Sequence, residues 1–296
     1  MKIIFLGTAS MQPTKERNLS SLLFNHDDEN ILFDCGEGTQ RQMKIVSLKS
    51  TKITRVIISH FHADHVLGLS GMIRSLIASD YQKVLHVYGP KGLKKFFDNM
   101  LNSAYYSNDL KFELHEFSKG IIFENDKFSI EALPLAHSVP SFGFIVKEKD
   151  RRKVDVDYTS KYGLKQHPLL GDLQKGKDIV YEGKKISYKK ATYLVEGKKA
   201  GFIFDTGVCD NCYIIGKNAD LLVSESTFSH EHEDKALEYK HLTSKQAANI
   251  AKKSKSKKLV LTHFSQRYKD ESKISEEATS VFKNTIIAHD FMEVDI

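Results

Sequence analysis

The sequence predicts an α/β domain built as two sheet-plus-helix halves, with helices outside and ligand-bearing loops gathered along one edge. Three observations predict it. Short apolar runs alternate with stretches whose apolar residues recur at helical spacing, in both halves of the chain. No clear linker rich in proline, glycine or serine separates the halves. Four of the apolar runs lead directly into a histidine or an aspartate, as strand ends do when they feed a site.

The elements follow in order. Residues 3–6 and 19–24 read as strands, separated by the polar, proline-bearing loop 11–18. The apolar run after Met1 is shorter than the roughly 7 to 15 residues of a signal core, so it reads as the first strand. Residues 30–34 form another strand, and 35–39 a glycine-bearing turn into a helix carrying Gln40, Met43 and Val46, with Thr39 as its expected cap. Residues 56–58 are a short buried strand, and Leu69, Met72, Ile73, Leu76 and Ile77 mark a helix. A strand at 84–88, a turn at 89–92 and a helix through Phe96, Phe97 and Met100 repeat the pattern. Strands at 110–117, 128–133 and 142–146 come next, the last two flanking a loop with His137. After residue 190, strands are expected at 192–195, 201–204, 221–223, 259–261 and 285–288, with helices at 243–253 and 274–282.

Composition sets the class. The 296 residues are 41% hydrophobic and 28% charged, the balance of a soluble globular protein, and no apolar run approaches the roughly 20 residues that span a bilayer. Cys35, Cys209 and Cys212 are too few for a disulfide framework and suit a reducing cytoplasm; Cys209 and Cys212 read as two thiols in a turn. The formal charge is +6, and residues 147–190 hold thirteen Lys and Arg against seven Asp and Glu, an excess equal to that of the whole chain. That stretch has few apolar residues and several glycines, and reads as an inserted, mobile projection.

The densest chemistry lies at Ser59-His60-Phe61-His62-Ala63-Asp64-His65, three imidazoles and a carboxylate in a strand-to-helix loop. Surface loops rarely place every second residue as a ligand type. Imidazole nitrogen and carboxylate oxygen suit Zn²⁺ and accept Mn²⁺ or Fe²⁺. The supply of ligands fits two metals better than one. His137, Asp205 and His263 also follow apolar strands, and a bridging carboxylate is needed to hold two cations about 3.5 to 4 Å apart, for which Asp205 is the best candidate. His230-Glu231-His232-Glu233-Asp234 mimics the pattern but follows no apolar strand, so it is left out of the site. The run 252–258, rich in lysine, reads as a solvated helix end.

His60-Phe61-His62-Ala63-Asp64-His65 resembles the H-x-H-x-D-H motif of the metallo-β-lactamase superfamily. Other stretches narrow the likeness to the ribonuclease Z family, the tRNA 3′-processing endoribonucleases. Residues 13–18 are similar to that family's P-x-K-x-R-N loop and 33–40 to its F-D-C-G-E-G-T-Q segment. Residues 225–228 resemble its E-A-T-F element, 241–243 its H-S-T loop, and 262–268 its T-H-F-S-x-R-Y. The resemblance runs nearly end to end. Residues 163–173 resemble the glycine-proline element of the family's flexible tRNA-binding arm, with His167 where the family usually has glycine. Phe204 likewise replaces a common glycine, which predicts a tighter pocket wall.

The resemblance implies a metallo-β-lactamase fold, a four-layer αββα sandwich spanning residues 1–296, with 147–190 as an inserted flexible arm. It implies two Zn²⁺ per subunit. His60, His62 and His137 would bind one, Asp64, His65 and His263 the other, and Asp205 would bridge them. Asp64 would also accept the proton of the attacking water, and Glu225 and His241 would assist protonation of the leaving 3′ oxygen. The product would be a tRNA 3′-hydroxyl and a trailer 5′-phosphate. Lys15, Arg17, Lys161, Lys165, Lys175 and Lys177 are the candidate RNA contacts. The expected partner is precursor tRNA, bound by a cytoplasmic homodimer with no membrane or DNA partner. Two rival readings, a small-molecule hydrolase of the same fold and a non-catalytic RNA-binding protein, lack respectively a use for the arm and a reason for the full ligand set.

Overall fold

The computed structural model describes residues 1–105 and 110–296. Two sheets of seven strands form the centre. In spatial order the first is Glu293–Asp295, Lys2–Gly7, Ser21–His26, Glu29–Phe33, Arg55–Ile57, Leu85–Pro90 and Phe112–Phe117. The second is Thr285–Ile287, Leu259–Thr262, Leu221–Glu225, Lys199–Ile203, Ser141–Glu148, Phe128–Leu135 and Gly120–Glu124. From Glu29–Phe33 to Phe112–Phe117 each neighbouring pair is parallel, as are the pairs from Lys199–Ile203 to Thr285–Ile287. Parallel pairs require crossovers, and the helices supply them.

Side-chain alternation fixes the layers. Leu32, Val56, Val87 and Leu114 form one row across the first sheet and face the helix Gly68–Ala78 through Leu69, Met72 and Leu76. The next row, Phe33, Ile57, Tyr88 and His115, faces the other way. Phe33 stacks on Phe202 of the second sheet at 4.8 Å and lies 5.3 Å from Phe144. Each such buried ring contributes about 2 kcal/mol by leaving water. The second sheet's outer face packs Ile203, Leu222 and Leu261 against helices Ser244–Lys253 and Ser272–Val281. The result is the expected helix, sheet, sheet, helix order. Among the described residues no helix is long and apolar enough to cross a membrane.

Two local expectations are corrected, the cap at Thr39 and the turn at 209–212, and two strands are added. Thr39 does not cap its helix: the cap is Gly38, with a left-handed φ of 79°, and Thr39 Oγ1 donates to the Gly36 carbonyl at 2.7 Å. Gly120–Glu124 and Glu293–Asp295 are strands, and Asp210–Gly216 is a helix that begins where a turn is expected. Glu293–Asp295 pairs with Lys2–Ile4 from the far end of the chain, a partnership no local pattern encodes.

Residues Glu124–Ser129 and Lys147–Lys198 form a second compact unit. It extends past the expected 147–190 and has a core of its own. Leu164, Leu173, Ile179, Ile186 and Ala191 are buried together, with Tyr158, Tyr162 and Tyr188 packed on them. Arg151–Val154 pairs antiparallel with Thr192–Val195, so the unit's head is carried on two adjacent strands. Within the head, Ile179–Tyr181 pairs with Lys184–Ile186 across Glu182 and Gly183, both at positive φ, the geometry of a two-residue hairpin turn. Asp155 caps Val156–Ser160 by accepting from the Tyr158 N–H at 2.9 Å. His167 Nδ1 accepts the Leu169 N–H at 3.2 Å, a role glycine could not fill.

Candidate metal centre

Four of the ligand candidates sit just beyond the carboxyl end of a strand. Arg55–Ile57 leads to His60, Phe128–Leu135 to His137, Lys199–Ile203 to Asp205, and Leu259–Thr262 to His263. The helical turn Ala63–Val66 adds Asp64 and His65, and His62 precedes it in extended conformation. A close approach holds this turn in place. A Cβ on Gly68 would come within 1.9 Å of the Gly36 carbonyl oxygen, so only glycine lets the two segments touch. Cys35 N–H donates to the His65 carbonyl at 2.8 Å, and Gly68 N–H to the Cys35 carbonyl at 2.9 Å.

The side chains converge in two groups, His60, His62, His137 and Asp205, and Asp64, His65, Asp205 and His263. His62 Nδ1 lies 3.1 Å from His60 Nε2 and 3.2 Å from His137 Nε2. Asp205 belongs to both groups: its Oδ2 is 3.6 Å from His60 Nε2 and 3.5 Å from His65 Nε2, while Oδ1 is 3.3 Å from His263 Nε2. Asp64 Oδ2 lies 3.5 Å from His65 Nε2 and 3.4 Å from His263 Nε2. Neighbouring ligands of one cation stand at about this spacing when metal–ligand bonds are about 2.0–2.2 Å.

The opposite ring nitrogens are tied down. His60 Nδ1 meets Ser59 Oγ at 2.9 Å, His65 Nδ1 meets Asp34 Oδ2 at 2.6 Å, His137 Nδ1 the Lys240 carbonyl at 2.9 Å, and His263 Nδ1 Thr227 Oγ1 at 2.8 Å. Such partners fix tautomer and ring orientation in metal sites. The nitrogens aimed inward tell the complementary story. His65 Nε2, His263 Nε2 and Asp205 Oδ1 are buried with no hydrogen-bond partner. Burying a polar atom unpaired is costly, and a divalent cation among these donors removes the cost. The residues fit a metal.

Electrostatics divide the donors: burial would lower His65, but Asp205, Asp34 and Asp64 outweigh it and hold that imidazole above the usual histidine range until a cation takes the place of its proton. Burial drives His60 well below the usual histidine range and lowers His62 and His137, which leaves them neutral donors. Burial alone would raise the Asp205 and Asp64 carboxyls. Imidazoles, His263 and His65 around Asp205 and His65 beside Asp64, reverse this and hold both below the usual carboxylate range.

Beside the donors, Glu225 is buried and accepts the Thr206 N–H at 2.8 Å and the Thr227 hydroxyl at 2.7 Å. His241 Nδ1 lies 2.9 Å from Glu225 Oε1. Burial would lower His241, but the Glu225 carboxylate outweighs it and pushes the imidazole up to about 9. His241 is therefore charged below that pH and neutral above it. In metal-free protein its titration, followed by histidine NMR, is expected to have its midpoint near 9 and to move down by at least one unit in Glu225→Gln. An unmoved midpoint removes Glu225 as the cause.

The structure brings together all seven metal candidates and sets Glu225 and His241 against them. The RNA candidates fare differently. Lys15 is exposed, as are Lys161, Lys165, Lys175 and Lys177 in the second unit. Arg17 is a correction: it is 7% exposed, ion-paired with Glu271, and donates to the Tyr268 carbonyl at 2.7 Å. Its guanidinium braces the loop from inside and is not available to a phosphate. Phe204 packs into the aromatic layer against Phe144 at 5.9 Å. His230 and His232 lie on a short 3₁₀ turn and pair with Glu233 and Tyr268, outside the centre. Cys209 Sγ is 3.5 Å from Cys212 Sγ, at the start of helix Asp210–Gly216.

Sequence reasoning missed Asp34. Fully buried and at φ 56°, it accepts from the Ser59 N–H at 2.7 Å and holds His65 at 2.6 Å, so one carboxylate sets both the loop and a ligand. The available signal was its place after an apolar strand, the same as that of the ligands. Met11 N–H, which donates to Asp64 Oδ2 at 2.8 Å, is a backbone group and has no signature.

Two sheets packed between helices, with histidines and aspartates at the strand ends, define a protein of the metallo-β-lactamase fold. A family model described as "Anti-Pycsar protein Apyc1" matches residues 1–193. The chain is 36% identical to a ribonuclease Z of Microcystis aeruginosa, covering 100% of this chain and 96% of the relative. It is 35% identical to a ribonuclease Z of Methanothermobacter thermautotrophicus, covering 100% and 97%. The crystal structure of the short form of human tRNase Z superposes with a TM-score of 0.74 at 28% identity, covering 100% of this chain and 99% of that one. The metallo-β-lactamase fold protein YhfI from Bacillus subtilis, at 19% identity and a TM-score of 0.72, shares the fold over 99% of this chain and 98% of its own. The chain belongs to the ribonuclease Z family, and over residues 1–193 also to the family that carries the Apyc1 description.

Proposed function

We propose that the chain is a zinc-dependent endoribonuclease that removes the 3′ trailer of precursor tRNA, leaving a 3′-hydroxyl on the tRNA and a 5′-phosphate on the trailer. The observation that carries this reading is full-length likeness to relatives named ribonuclease Z, at 35 to 37% identity, in a chain whose donor atoms converge. His60, His62 and His137 would hold one Zn²⁺, Asp64, His65 and His263 the other, with Asp205 between them. Bound there, the ions would supply Lewis acidity, lower the pKa of water and neutralise phosphodiester charge.

The chain's own groups have distinct tasks. Asp64, buried and oriented by the Met11 N–H, accepts the proton of the attacking water. His241, charged beside Glu225, gives a proton to the departing 3′ oxygen. The lysines of the second unit grip tRNA phosphates, and a cytoplasmic homodimer lets one subunit's arm hold tRNA cut by the other. Labelled precursor tRNA incubated with protein and zinc tests the reading. Sequencing and end analysis should give one cut at the trailer junction with a 3′-hydroxyl. A 2′,3′-cyclic phosphate, or no cleavage, overturns it.

A further inference from the structure

We propose that His86, Glu113 and His115 form a separate divalent-metal site of the zinc class, on the outer strands of the first sheet and away from the catalytic centre. The sheet register creates it. His86 of Leu85–Pro90 is the direct partner of Glu113 in Phe112–Phe117, and His115 follows two residues on, so all three side chains emerge on one face. Leu114 between them turns to the opposite face and packs against the helices.

The donor atoms already stand at coordination spacing. His86 Nδ1 is 3.2 Å from His115 Nε2 and 3.3 Å from Glu113 Oε2, and His115 Nε2 is 3.7 Å from the same oxygen. Tetrahedral ligands on zinc, with bonds of about 2.0–2.2 Å, lie about 3.3 Å apart. Two imidazoles and one carboxylate with a fourth position left to water is a known zinc ligand set. Tyr88 stacks on His115 at 4.4 Å and 17°, which holds that ring in the binding orientation. Burial lowers His115 from the ordinary histidine range, which keeps a donor lone pair free. Arg55 is the register partner of His86; it lies 3.3 Å from Glu29 and 4.0 Å over the Phe123 ring, so its charge is already answered.

The place in the fold suggests what the ion does. Phe112–Phe117 is the edge of its sheet, with Leu85–Pro90 as its neighbour there. A metal held by both strands staples that edge. The site is distinct from the catalytic one: His86 aligns with Arg55 at the start of Arg55–Ile57, whose other end leads toward His60, and the two donor groups share no residue.

Wild-type protein should be saturated with Zn²⁺, freed of excess ion, and its metal counted per chain by mass spectrometry beside Glu113→Gln and a His86→Gln/His115→Gln double variant. Each variant is expected to hold one equivalent fewer. Because a variant could fail to fold, Zn²⁺ is also titrated into wild type whose catalytic centre is already loaded, with the ring signals of His86 and His115 followed by NMR. A saturable shift of both supports the site. Equal metal counts in folded variants, or ring signals unmoved by Zn²⁺, overturn it. Neither readout depends on RNA cleavage, so the site and the proposed activity stand or fall separately.

Discussion

Asp64→Ala is expected to reduce single-turnover cleavage of precursor tRNA by at least about a thousandfold in zinc-replete buffer. Two losses combine in that one substitution. The carboxylate is within 3.5 Å of two inward-facing imidazoles, those of His65 and His263, and is oriented by a backbone donor, the Met11 N–H. Removing it takes away the proton acceptor and one donor to the cation held with His65 and His263. The fold should survive, since Asp64 is at the lip of the centre and not in the apolar core. A thermal midpoint near wild type together with near-normal turnover would sink the proton-transfer role.

Replacing residues 155–191 by Asn-Gly is expected to lower kcat/KM for precursor tRNA by about a hundredfold or more, while hydrolysis of a nitrophenyl phosphodiester stays within about twofold. The structure makes this deletion clean. Val154 and Thr192 are register partners, so a two-residue turn can close Arg151–Val154 onto Thr192–Val195. What is lost is the head with its exposed lysines, including Lys161, Lys165, Lys175 and Lys177. Each phosphate contact releases counterions, so the wild type should also lose affinity more steeply with salt than the deletion variant. Equal loss on both substrates would mean that the head supports the centre and does not grip RNA.

The parts legible in the sequence are those with a local signature. Strands that lead to His60, His137, Asp205 and His263 announce both the sheet-plus-helix halves and the metal donors, because chemistry at a strand end requires an apolar run and a ligand side by side. What stayed hidden depends on distant partners. Asp34 becomes a holder of His65 only once Glu29–Phe33 and Arg55–Ile57 lie side by side. Arg17 reads as a free cation until Glu271, from the other end of the chain, closes on it. The second unit's core is hidden for a different reason. Leu164, Leu173, Ile179 and Ile186 come from a loop, a helix of six residues and two strands of three, each too short to establish a period, and are diluted by lysine.

The centre draws its donors from both halves of the chain, and that has a consequence for biosynthesis. A polypeptide emerges from its N-terminal end, and domains organise as they appear. His60, His62, Asp64 and His65 are therefore exposed to cellular metals well before Asp205 and His263 exist to complete the set. Those four supply two members of each donor group and lack Asp205, which both groups share. A site with all seven donors must wait for the second sheet, whose strands lead to His137, Asp205 and His263, so complete metal binding would follow the folding of both sheets.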